Sequence, residues 1–67
     1  MPSVSEIGEA AGEVFRYLDA HGPSSLAAVE RGVGESRTVL MMAVGWLARE
    51  GKVEFRQEGR SSLLALV

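Results

Sequence analysis

Val39-Leu40-Met41-Met42-Ala43-Val44-Gly45-Trp46-Leu47-Ala48 runs for ten residues without a charge or a hydroxyl, and Arg49-Glu50-Gly51-Lys52-Val53-Glu54-Phe55-Arg56 follows at once. The two halves obey different periods. At roughly 100° per residue, Leu40, Ala43, Val44 and Leu47 fall on one helical face. From Lys52 to Arg56 polar and apolar residues alternate, which is the period of a strand. Gly51 stands between them as a helix stop. The chain therefore passes from an almost wholly apolar helix, the kind that is buried on more than one side, directly into a β-hairpin.

Upstream, Ser3 and Glu6 form a capping box, with Ser5 as a competing cap. Val4, Ile7, Ala11, Val14 and Leu18 then recur at helical spacing, flanked by Ala10 and Phe15. Gly22 and Pro23 end this first helix. Ser25 caps a short second helix that points Leu26 and Val29 inward, with Val33 packing just after its end. Gly32 and Gly34 bracket Val33 and imply a turn. Ser36 caps the third helix, which runs through Glu50. Downstream, Gln57-Glu58-Gly59-Arg60 is a tight turn, and Ser61 to Val67 returns as a second strand. A two-residue loop of Glu58 and Gly59 would set Val53 against Leu64 and Phe55 against Ser62, with Val53, Phe55, Leu64 and Leu66 on the core face.

Helix, short helix, turn, helix, hairpin in 67 residues is the α+β plan of a winged helix-turn-helix, a single domain over residues 1–67. Ser24 and Ser25 occupy the place where that plan often has a stub strand pairing with the hairpin. The chain also resembles a small bacterial winged helix-turn-helix family of unassigned function. The resemblance rests on Ile7-Gly8-Glu9 through Ala11-Gly12-Glu13-Val14 and, more specifically, on Gly45-Trp46-Leu47-Ala48-Arg49-Glu50-Gly51-Lys52-Val53-Glu54-Phe55. It spans nearly the whole chain, which departs from the pattern in a short wing. It implies the fold, and a nucleic-acid role by analogy, since one fold hosts many functions.

Composition narrows the function. With no cysteine and one histidine, there is no thiolate or His cluster for a metal and no nucleophile–base pair for catalysis. An enzyme, a metal site and a bound cofactor are not expected. His21, at a helix C-terminus, reads as a dipole-compensating residue. No apolar segment approaches the roughly 18 residues of a membrane span, and Glu6 and Glu9 interrupt the N-terminus before any signal-like core; the expected location is the cytoplasm. At this length only on the order of 60% of the unfolded surface can be buried, so stability must come from close packing or from association.

The net charge is −2, whereas nucleic-acid binders usually carry a basic excess. Residues 1–33 hold two basic and five acidic side chains, and residues 34–67 hold five basic and four acidic ones, so the positive side lies toward the C-terminal half. A DNA reader places Arg, Lys, Asn or Gln along the outward stripe of its recognition helix. Here that stripe is Thr38, Met42, Gly45 and Arg49, with Met41 on a flank. Phosphate contacts to double-stranded DNA could come from Ser36 and the first-turn amides, Arg37, Thr38 and Arg49, and from Arg56 and Arg60 of the wing; the competing reading is a solvated surface of mixed charge. Met41, Met42 and Gly45 instead suggest an adaptable protein interface, for a partner or a homodimer, with Met42 exposed. Trp46 is expected to bury against the first helix or the hairpin. Gly8 and Gly12 imply close approach of a neighbouring element, a self-association seam being the other reading.

Overall fold

Each helix begins at a serine whose hydroxyl accepts a first-turn amide. The computed structural model describes residues 1–67, with helices α1 Val4–His21, α2 Leu26–Val33 and α3 Arg37–Arg49, and strands β1 Val53–Glu58 and β2 Ser61–Leu66. Ser3 accepts from the Glu6 amide at 3.1 Å while the Glu6 carboxylate accepts from the Ser3 amide at 3.2 Å, a reciprocal capping box. Ser25 caps α2 through the Ala28 amide and Ser36 caps α3 through the Val39 amide. The helices stop where glycine can take a positive φ, at Gly22, Gly34 and Gly51.

The core is formed where the apolar faces of α1 and α3 meet: Ala10, Ala11, Val14 and Leu18 against Leu40, Ala43, Val44 and Leu47, closed by Val29, Val53 and Leu64. Val4, in the first turn of α1, stands outside it at 71% exposure. Val33 packs on the core from within the last turn of α2 rather than after it. Gly32 is helical, not a turn residue. A side chain there would strike the Tyr17 ring at Cε2, so glycine is present to admit that ring.

Strands β1 and β2 pair antiparallel with Val53 opposite Leu66, Phe55 opposite Leu64 and Glu58 opposite Ser61. The register thus sits two residues away from the one expected, and the loop is Gly59-Arg60. A loop with Glu58 first and Gly59 second would ask for positive φ at Glu58. The chain instead puts Gly59 first, at φ 61°, and no non-glycine residue has a positive φ. A two-residue shift keeps every side chain on its expected face, but Phe55 is not core: it is 61% exposed. On β1 only Val53, next to the end of α3, is covered, and the rest of that edge strand is bare. Strand β2 is the interior strand. Ser24 bridges its other edge, donating to the Leu64 carbonyl at 2.9 Å and accepting from the Leu64 amide at 2.8 Å. This is the stub strand expected at Ser24, and it ties the helix-turn-helix to the wing.

Candidate nucleic-acid interface

The residues that could contact a nucleic acid stand in three places. Ser36, Arg37 and Thr38 open α3, Arg49 closes it, and Arg56 and Arg60 lie on the wing. Twelve residues of rise separate Arg37 from Arg49, roughly 18 Å. Between them Thr38, Met42, Gly45 and Arg49 share the outward stripe, spaced by four, three and four residues, while Leu40, Ala43, Val44 and Leu47 are buried on the opposite side. Thr38, Gly45 and Arg49 are exposed, and a Cβ on Gly45 would meet nothing within 4 Å. Met41 is half-buried against the core. Met42 is half-buried too, not the exposed residue the helical wheel suggests.

The cations are not equally free. Arg37 donates from Nη1 to Glu30 Oε1 at 3.1 Å, linking α3 back to α2 across the turn. Arg56 donates from Nε to Glu54 Oε2 at 2.8 Å along its own strand. Lys52 approaches Glu50 at 3.7 Å. These pairs are solvent-exposed and worth on the order of 0.2–1 kcal/mol each, which a phosphate could displace. Arg49 and Arg60 form no ion pair. The Ser36 hydroxyl already accepts from Val39 at 3.3 Å, leaving its proton for a ligand oxygen.

The sequence reading missed Glu35. It precedes the Ser36 cap, and its carboxyl is held above the ordinary carboxylate range. The largest cause is a hydrogen bond shared with the Glu13 carboxyl, followed by burial and the negative charges of Glu13, Glu6 and Glu9. The turn between α2 and α3 thus brings the Glu35 carboxyl near the acidic side of α1. The chain distance from Glu13 to Glu35 hides this; the four glutamates in the sequence are its only sign.

His21 stacks on Tyr17 one turn earlier, ring centroids 4.2 Å apart. No group of three or more His, Cys, Asp or Glu side chains is placed to hold a metal, and no helix is long and apolar enough to cross a membrane. Trp46 is half-buried on the core, its ring over Gly8 of α1, as its spacing suggested.

Comparison with known proteins agrees with this architecture. The family model described as "Winged helix-turn-helix domain (DUF2582)" matches residues 1–66. The chain is also similar to the uncharacterized protein MJ1608 of Methanocaldococcus jannaschii, 34% identical over 64 residues, covering 91% of this chain and 90% of that one. Three helices followed by a two-stranded wing are a winged helix, and the chain belongs to the winged helix-turn-helix domain family DUF2582.

Proposed function

We propose that this domain is a non-enzymatic, cytoplasmic module that binds double-stranded DNA through its phosphates, with little readout of base sequence. The observation that carries the reading is the outward stripe of α3. Thr38, Gly45 and Arg49 on it are exposed, its two ends carry the Ser36–Arg37–Thr38 cap and the unpaired Arg49, and the wing adds the unpaired Arg60 at its turn and Arg56 on β1. Phosphate contacts position a protein on a duplex and base contacts specify sequence. Thr38 is the one uncharged hydrogen-bonding side chain on the stripe, so positioning outweighs specification.

The test is fluorescence anisotropy on a labelled duplex, with salt varied. Binding should weaken steeply as salt rises, and Arg49→Glu or Arg60→Glu should weaken it on every duplex alike, each lowering the salt slope by about one. Affinity that ignores both variants overturns the assignment.

A specific observation favours a second reading. Gly45 leaves a bare notch on α3 beside Met41 and Met42, the kind of adaptable surface that suits a protein partner or a homodimer. On that reading Met42→Glu abolishes the association and leaves DNA affinity untouched.

A further inference from the structure

At the pole of the molecule away from the α3 cap and the wing turn, a groove runs between α1 and the base of the hairpin. Its walls include Gly12, Phe15 and Arg16 of α1, Leu47 at the end of α3, and Leu66 and Val67 at the end of β2. Phe15 is 38% exposed and Val67 78% exposed. Val4, also exposed, lies toward the same flank of α1 by helical spacing. Two of the five large exposed hydrophobic residues, Phe15 and Val67, therefore line this one groove. We propose that a second copy of this chain covers it, the two α1 helices lying antiparallel and crossing at Gly12.

The occupant is identified by charge. Beside the apolar flank, α1 carries the stripe Ser5, Glu9, Gly12, Arg16, Asp19, spaced by four, three, four and three residues. Glu9 precedes Gly12 by three residues and Arg16 follows it by four. In an antiparallel copy related by a two-fold axis through the crossing point, Glu9 of each chain faces Arg16 of the other, so one complementarity is made twice. Glu9 and Arg16 are exposed and neither forms an ion pair within its own chain. Glycine at the crossing lets the two backbones approach. Gly12 differs here from Gly8, whose open side is already filled by Trp46; the side-chain atoms nearest a Cβ on Gly12 are those of Arg16 itself. Arg16 is free to swing out to a partner carboxylate. Only 12 of 67 residues are buried in the single chain, so covering Phe15 and Val67 would add appreciably to a small core. The α3 cap and the Gly59-Arg60 turn stay uncovered in this dimer, whether or not they meet DNA.

The experiment is sedimentation of the full chain from micromolar to millimolar concentration, with circular dichroism to confirm that each variant is folded. The wild type should show a concentration-dependent dimer. Glu9→Arg and Arg16→Glu should each weaken it at least about tenfold by setting like charges face to face. The double variant E9R/R16E should restore it, and Met42→Glu should leave it intact. A chain that stays monomeric throughout overturns the proposal. So does a dimer indifferent to both single changes, a double variant as weak as the singles, or a dimer lost on Met42→Glu, which would put the interface on α3.

Discussion

The Trp46 ring closes over Gly8, its Cη2 and Cζ2 atoms 3.6 and 3.7 Å from where a Gly8 Cβ would lie. The segment around Gly8 in α1 and the segment around Trp46 in α3 are therefore the two surfaces of one helix–helix contact. A methyl group at 3.6 Å is in ordinary van der Waals contact, so Gly8→Ala should fit. It should stabilise the fold by up to about 1 kcal/mol, since glycine is costly inside a helix. Gly8→Leu should displace the indole and cost about 1–3 kcal/mol. Thermal unfolding measures both, and Trp46 emission should shift to the red in the leucine variant alone.

Gly32 and Gly45 make a contrast that tests the packing directly. Both are helical glycines with ordinary φ. Alanine at Gly45 meets nothing within 4 Å, whereas at Gly32 it strikes the Tyr17 ring. Gly45→Ala should raise stability by roughly 1 kcal/mol. Gly32→Ala should lower it by about 1–3 kcal/mol as Tyr17 is driven off His21. Chemical denaturation of the two variants should show opposite signs.

Glu35 makes stability depend on pH. Its folded pKa is raised above the ordinary 4.5, so the folded state binds its proton more tightly than the unfolded chain does. The stabilisation it contributes is complete below the ordinary value and is lost as pH rises through the raised one. Glu35→Gln cannot ionise, so relative to the wild type it should have a higher melting temperature at neutral pH. That advantage should vanish in acid near pH 4. An equal offset at both pH values would mean that the carboxyl does not face Glu13.

Much of the fold is legible in the residues because each element announces its own limits. Serine caps, glycine stops and the change of period at Gly51 are local chemistry, and they place three helices and two strands within a residue or two. The hairpin register depended on which residue of the turn takes positive φ, a choice made by Gly59 over Glu58. Burial of Phe55 could not be read from alternation, because edge and interior strands alternate alike. For the candidate site, the sequence supplies the identities of the arginines but not their partners. The Glu30–Arg37 pair and the seat of Glu35 on Glu13 exist only because two turns and a helix crossing bring distant carboxylates together.

Whether α3 and the wing meet DNA is decided by amide chemical shifts during titration with a duplex. At low salt the shifts should be confined to Arg37, Thr38, Arg49 and Arg60 and their neighbours, with affinity falling steeply as salt is raised. Unchanged amides at millimolar duplex, or shifts on α1 in place of α3, would contradict it.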